Sequence, residues 1–301
     1  MSSAGRPLVD ETDRARIMAL VRARAGETLH VADLPYRLAS PSAHTDEDAR
    51  VWEDGRGDLV AFAVVQLAWG TLDYFIRPDA RGGEIEDGLM TWALGRFQRL
   101  TDLRGRDLDW WIETRADQSD RLALLERSGF TPEEWHVVQL ERTLDGELTE
   151  PPLPPGCAIR PLAGAAEVEA AAALQRAAFA SEHMTVAWRG RLLRLPEYLP
   201  ALDLIALAPD GRPAAFCLAW LEPEMGVAQV EPMGVHPDCQ RFGLGRALLA
   251  EMFRRMRACG ARRATVETYS SMEPALALYE AAGFRPVGRV LKYRKAFAAR
   301  R

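Results

Sequence analysis

The residues best suited to chemistry lie between Glu231 and Tyr279. At their centre is Val235–Arg246, reading VHPDCQRFGLGR, in which Gln240, Gly243 and Gly245 are spaced Q-x-x-G-x-G. Glycines there remove Cβ atoms, so that main-chain N–H groups can converge on an anion. An apolar run, Val227–Val235, precedes the loop. An amphipathic run follows it, with Leu244, Leu248, Met252 and Met256 on one stripe. The order reads strand, tight loop, helix, and the helix start adds the positive end of its dipole. Such a loop is either a plain turn or a cradle for a pyrophosphate. Competing nucleotide motifs fail on detail: no G-x-x-x-x-G-K-[ST] string is present, and a dinucleotide fingerprint would need a third glycine and an acidic residue about 20 residues on, whereas Arg246 and Ala247 follow Gly245. Arg241 and Arg246 are close enough in sequence to meet phosphates. The other helix arginines, Arg254, Arg255 and Arg257, read as a solvated face.

Two further side chains could move protons. Period-two alternation puts Gln229, Glu231 and Met233 on one face of the strand. A carboxylate buried in a sheet has its pKa raised towards that of a useful base. The bland alternative is an ion pair with an arginine such as Arg285. Tyr279 lies in Pro274–Phe284, PALALYEAAGF, where it is either a half-buried packing residue or a proton donor.

The loop and PALALYEAAGF together resemble motifs A and B of the GNAT superfamily, the acyl-CoA-dependent N-acyltransferases. The resemblance covers about Cys157 to Phe297. It implies acetyl-CoA as co-substrate, with pyrophosphate held by the backbone of Gln240, Arg241, Phe242, Gly243, Leu244, Gly245 and Arg246. It implies a sheet that splits between Val227–Val235 and Arg262–Thr268, where the pantetheine arm pairs with the exposed edge at Met233, Gly234 and Val235. Pro232, awkward inside a central strand, fits such a split or a bulge. The Met233 N–H is the expected oxyanion donor, Tyr279 the expected acid and Glu231 the expected base. Many relatives carry an asparagine just before the last helix. Here Ser271 or Met272 stands in its place, which leaves that cofactor contact open. The two helices Gly164–Ala180 and Thr185–Arg194 would line the acceptor side, offering Glu182, His183, Met184, Trp188 and Tyr198.

The elements that must position these groups occur twice. With 301 residues, two domains are expected. Aligning Ile76–Glu86 with Val235–Gly245 gives an offset of 159 (235 − 76), and aligning Leu124–Phe130 with Leu278–Phe284 gives 154 (278 − 124). An internal duplication explains both. The expected fold class is therefore α+β (mixed α/β): two tandem GNAT folds, each a central, mostly antiparallel sheet flanked by helices, with a splayed strand pair in the C-terminal copy. The expected domains are 1–150, 151–156 as a stiff proline-rich linker, and 157–301.

The copies differ where chemistry would occur. Glu84 and Glu86 replace the two loop glycines, and Leu125 replaces Tyr279. Two carboxylates at a helix start would repel a pyrophosphate, so the first copy is expected to be a degenerate, non-catalytic GNAT-like domain. Its own elements read as a helix over Asp10–Ala25, a short edge strand at Pro35–Pro41, strands at Arg50–Asp54, Leu59–Trp69, Thr71–Arg77, Asp107–Glu113 and Trp135–Arg142, and helices at Gly88–Leu103 and Gln118–Arg127. In the second copy strands are expected at Cys157–Pro161, Asp203–Ala208 and Ala214–Leu221, and a final pair within Arg285–Phe297 bent at Gly288.

Composition narrows the partners. Apolar residues make up 48%, charged residues 27%, and the net charge of −5 argues against nucleic acid. The longest apolar run, Leu59–Trp69, is too short to span a bilayer. No secretory signal is evident in the first 20 residues. Four cysteines without C-x-x-C spacing and five histidines without ligand spacing make a metal site unexpected, and point to reduced thiols in a cytoplasm. The expected function is transfer of acetyl from acetyl-CoA to a primary amine of a small molecule by direct attack in a ternary complex. The alternatives are a catalytically idle acyl-CoA-binding or regulatory protein, and a peptide or protein N-acyltransferase. The sequence carries no signal for oligomeric state.

Overall fold

Strand β3 (Leu59–Gln66, LVAFAVVQ) is buried along its whole length, as an uninterrupted apolar run flanked by two neighbours should be. It belongs to the first of two compact units of a computed structural model that describes residues 5–9, 11–23, 30–148 and 150–300. The first unit comprises Met1–Val137 and Arg289–Arg301, and the second Val138–Gly288.

In chain order the first unit holds β1 (Arg6–Pro7), α1 (Glu11–Arg22), α2 (Leu34–Leu38), β2 (Ala49–Glu53), β3, β4 (Thr71–Ile76), α3 (Glu84–Arg104), β5 (Leu108–Arg115), α4 (Ser119–Arg127) and the start of β6 (Thr131–Thr143). The rest of β6 opens the second unit. There follow β7 (Ala158–Pro161), α5 (Val168–Phe179), α6 (Val186–Leu192), β8 (Asp203–Leu207), β9 (Pro213–Glu222), β10 (Val227–Val235), α7 (Leu244–Ala258), β11 (Arg263–Tyr269), α8 (Glu273–Ala281) and β12 (Arg285–Phe297). Within the first unit the strand order is β1-β2-β3-β4-β5-β12; within the second it is β6-β11-β10-β9-β8-β7. Each has one parallel pair, β4 with β5 and β10 with β11, among antiparallel ones. The mixed α/β class expected from the sequence is the one observed.

The duplication is visible in local geometry. Pro78–Ala80 and Pro237–Cys239, at the 159 offset, are both single 3₁₀ turns. The β2–β3 and β8–β9 hairpins turn on matching aspartates. Asp54 Oδ1 accepts from the Arg56 N–H at 2.9 Å, and Asp210 Oδ1 from the Arg212 N–H at 3.1 Å. Such side chain to backbone bonds are what make aspartate a turn residue.

Several expectations need correction. The units do not divide at 151–156, because that joint lies inside the second unit. The chain changes unit within β6 and again within β12. The terminal strand pairs antiparallel with β5 from Val290↔Arg115 to Phe297↔Leu108, and Tyr293 and Phe297 complete the first unit's core. Pro35–Pro41 is not an edge strand. Leu34–Leu38 is a short helix with proline in its first turn, where the missing N–H is harmless, and Pro41–His44 is a 3₁₀ turn. The edge strand is Arg6–Pro7. Gly288 does not bend β12, which runs unbroken. A Cβ there would stand 2.6 Å from Gln139 Oε1, the movable end of a side chain. The helix expected over Gly88–Leu103 starts at Glu84, which puts Glu84 and Glu86 in its first turn. Of the helix expected over Asp10–Ala25, residues 10, 24 and 25 lie outside the described residues.

The second unit's sheet separates two apolar layers. Alternate residues of β8, β9 and β10, such as Leu204, Cys217 and Val230, pack with Leu248 and Met252 of α7 and with Phe284. Ile205 and Phe216 face the other way, against Leu174 of α5. Whatever lies at the split end of β10 is thereby held between these two layers.

Candidate active site

Strand β10 departs from regularity in its middle. Its parallel ladder with β11 runs from Val227↔Arg263 to Val230↔Val266 and stops, although both strands continue. Its ladder with β9 breaks at the same point and resumes at Met233↔Cys217. The Trp220 indole N–H donates to the Glu231 carbonyl at 2.8 Å across this break. Pro232 therefore sits at a bulge beside a split, and Met233–Val235 keep a ladder on one edge only. Gly234 is required by packing: a Cβ there would come within 2.9 Å of Phe216 and Ala178. β4 and β5 likewise pair only at Thr71↔Trp111 and Leu72↔Ile112, so the first unit is split too.

The loop beyond β10 is built from its own side chains and backbone. The His236 N–H donates to the Ala214 carbonyl at 2.8 Å, and the Gln240 amide reaches back to the Val235 carbonyl at 3.2 Å. Arg241 and Gly243 both have positive φ, 69° and 83°, a geometry that turns successive amides towards one concavity. The first hydrogen bonds of α7 are donated by Arg246 and Ala247 to the Gly243 carbonyl. The amides of Leu244 and Gly245 lie ahead of that ladder, as helix-start donors do. Gly245 touches Val235, Met233 and Leu278, each about 3.5 Å from where its Cβ would be. Phe242 is 71% exposed, and Arg241 and Arg246 are exposed beside it.

Tyr279 is buried at 7% exposure, edge-on to Phe284 with centroids 5.7 Å apart, and Phe284 in turn meets Phe253 at 5.5 Å. Burial pushes its phenol well above the ordinary value, and the charges of Cys217 and Glu231 add to the shift. A phenol so placed keeps its proton throughout the physiological range. The Cys217 thiol is likewise pushed up, first by burial and then by Asp203, so it is an inert neighbour.

The acceptor-side residues divide. Met184 and Trp188 are core residues; Thr185 caps α6 by accepting from the Trp188 N–H at 3.0 Å. Glu182 and His183 are exposed. Tyr198 donates to Asp203 Oδ2 at 2.8 Å, and Asp203 also holds Arg189 of α6 at 2.7 Å, both residues of that pair being buried. Sequence reasoning missed this clamp, since Arg189 and Asp203 lie on different elements without a motif. It also missed Arg142 of β6, which donates to the Ala282 carbonyl at the end of α8 and lies over the Phe253 ring at 4.6 Å. Tyr279 rides on that helix. In the first unit Glu86 Oε2 accepts from the Gly82 N–H at 2.7 Å, filling its helix start, and Leu125 is fully buried.

Amides gathered at a helix start suit a diphosphate, and a strand edge left open beside them suits an arm that carries amides of its own. That combination defines the acyl-CoA-dependent transferases. Over residues 170–284 the chain matches the Acetyltransferase (GNAT) family, and it carries a GNAT acetyltransferase domain. It is 36% identical over 189 residues to a protein of Kineococcus radiotolerans named mycothiol acetyltransferase, covering 60% of each chain. Proteins of the same name from Pseudarthrobacter chlorophenolicus and Geodermatophilus obscurus are 29% and 28% identical, each over 94% of this chain and 84% and 96% of their own. Among solved structures, a GCN5-related N-acetyltransferase from Sphaerobacter thermophilus aligns over 98% of this chain and 95% of its own, with a TM-score of 0.71 at 21% identity. A tandem GNAT protein from the clavulanic acid biosynthesis pathway aligns over 97% of both chains with a TM-score of 0.66 at 16% identity. These two likenesses show the fold. No described helix is long and apolar enough to cross a membrane.

Proposed function

We propose that the second unit transfers acetyl from acetyl-CoA to a primary amine of a small molecule, by direct attack while both substrates are bound, and that the first unit is a non-catalytic copy. The observation that carries this reading is the split in β10, whose ladder with β11 stops at Val230↔Val266 just ahead of the amide-lined loop, with the buried Tyr279 in the core cluster that Met233 packs against.

The loop backbone from Gln240 to Arg246 would bind the pyrophosphate, with Arg241 and Arg246 adding charge. Met233, Gly234 and Val235 would offer the pantetheine arm a strand edge. An acceptor amine, with an ordinary pKa of about 10.4 for a lysine-like case, must first lose a proton. Glu231 takes that proton directly or through water. The neutral nitrogen attacks the thioester carbon, and the Met233 N–H supports the oxygen as it becomes negative. The carbon–sulfur bond then breaks, and the sulfur takes the proton of Tyr279. The nitrogen gives up its second proton to the Tyr279 phenolate as the amide forms, and Glu231 passes its proton to water, so that an amide, free coenzyme A thiol and one proton leave.

The name shared by the relatives, mycothiol acetyltransferase, supports acetyl transfer to a small acceptor. The test is release of coenzyme A thiol across a panel of small amines. Tyr279→Phe should lower kcat about 100-fold or more while acetyl-CoA affinity by calorimetry changes little. Unchanged turnover would remove Tyr279 from the mechanism.

A further inference from the structure

In the first unit the place that corresponds to the reacting groups of the second is filled by a different chemistry. By the repeat offsets, Tyr74 of β4 stands at the Met233 position (74 + 159), and Leu125 at that of Tyr279 (125 + 154). Arg121 lies one turn before Leu125 in α4, on the same helix face.

Arg121 is a buried cation, at 3% exposure. Its Cζ lies 4.2 Å from the centroid of the Tyr74 ring. Its Nη1 makes a long 3.4 Å contact with Gln118 Oε1, an oxygen that also accepts from the Thr114 hydroxyl at 3.1 Å. Arg121 Nε and Nη2 have no hydrogen-bond partner, and neither has the buried Tyr74 hydroxyl. Among the described residues no ion pair involves Arg121.

Buried charges are ordinarily paired, and buried donors ordinarily bonded. Here two kinds of donor come together with no acceptor between them. The free guanidinium nitrogens are not a random pair: Nε–H and Nη2–H share one edge and point in parallel, the fork that matches two oxygens of a carboxylate or phosphate group. We propose that Arg121 and Tyr74 form a binding site in the first unit for a small-molecule oxyanion of the carboxylate or phosphate type. The guanidinium edge takes two of its oxygens, and the phenol donates a further bond. β4 and β5, paired only at Thr71↔Trp111 and Leu72↔Ile112, diverge towards this point and give the ligand its way in. Glu84 and Glu86 at the start of α3 disfavour a diphosphate there, so the ligand is a compact anion and not a coenzyme.

The test uses the full chain without acetyl-CoA. Sodium acetate and, separately, inorganic phosphate are titrated at constant ionic strength against sodium chloride, with the melting temperature as readout. The wild type should show a saturable rise of about 2–4 °C with at least one of the two anions, and none with chloride. Saturation by acetate identifies a carboxylate ligand, and by phosphate a phosphoryl one. Arg121→Met should abolish the rise. In chloride it loses only the ring contact with Tyr74 and the long Gln118 hydrogen bond, and no ion pair among the described residues. Tyr74→Phe keeps the ring and removes one donor, so it should raise the half-saturating concentration about tenfold; it serves also if Arg121→Met fails to fold. A wild-type response equal to that in chloride, or one that survives unchanged in Tyr74→Phe or Arg121→Met, overturns the proposal.

Discussion

At the scale of single residues, Tyr279 is useful because it is dry. Desolvation disfavours the phenolate, and the nearby carboxylate of Glu231 disfavours it further, so the group stays a donor where a free phenol would begin to ionise. Acid catalysis through Tyr279 should therefore persist above pH 10, the ordinary phenol value. A pH profile of single-turnover rates whose alkaline limb fell below that value, and vanished in Tyr279→Phe, would contradict this. Gly243 is the residue on which cofactor affinity should depend most. It has φ 83°, in the region that side chains avoid, and its first-unit counterpart is Glu84. Gly243→Glu combines backbone strain with repulsion of a diphosphate. It should weaken acetyl-CoA binding at least 100-fold by calorimetry, and intact affinity would disprove the loop assignment. Both positions were legible in the sequence because each belongs to a contiguous motif. The surroundings that tune them, Cys217, Phe253 and Arg142, come from β9, α7 and β6, and no local pattern links them.

At the scale of elements, helices are held by a few side chains that bridge to strands. Glu167 ties the start of α5 to β7. It accepts from Arg160 Nη1 at 2.8 Å and from the Ala163 N–H at 2.7 Å. The Arg160 hydrogen bond leads in holding the Glu167 carboxyl down at about 2, from an ordinary 4.5. A folded-state pKa below the unfolded one adds stability that is present above pH 4.5 and is lost as the pH falls towards 2. Melting curves of Glu167→Gln should lie below wild type at pH 6 and converge with it near pH 2. A gap that persisted at pH 2 would assign the effect to packing. The pair lies partly in solvent, with the side chains of Arg160 and Glu167 37% and 24% exposed, so the gap should be small. Strand β10 teaches a related lesson. Its length and its proline could be read from the chain, but the break in register needed two partners, β9 and β11, to become visible.

At the scale of the whole molecule, the order of elements and the order of units differ. β12 is the last strand, yet Arg289–Arg301 belongs to the first unit, where Tyr293 and Phe297 fill core positions beside Phe97 and Trp110. Removing residues 289–301 should therefore damage the first unit first. Hydrogen exchange should show lost protection in β5, its ladder partner, while α7 and β9 keep theirs. Uniform loss across both units, or loss confined to the second, would refute this division of the chain. The sequence alone suggested a cut at the proline-rich joint, because composition marks where a chain is stiff and not where it pairs.

What the sequence determined by itself is what depends on near neighbours in the chain. The strand–loop–helix order, the spacing of the glycines, the repeat and its acidic divergence at Glu84 and Glu86 are all local patterns. Tertiary structure alone decided what depends on partners far along the chain. It decided that β12 completes the first unit, that Asp203 clamps Arg189 and Tyr198, and that Arg121 lies buried over Tyr74 with no counter-charge among the described residues. Hydrogen-bond ladders and desolvation act through space, and a motif records only the groups that happen to be adjacent in sequence.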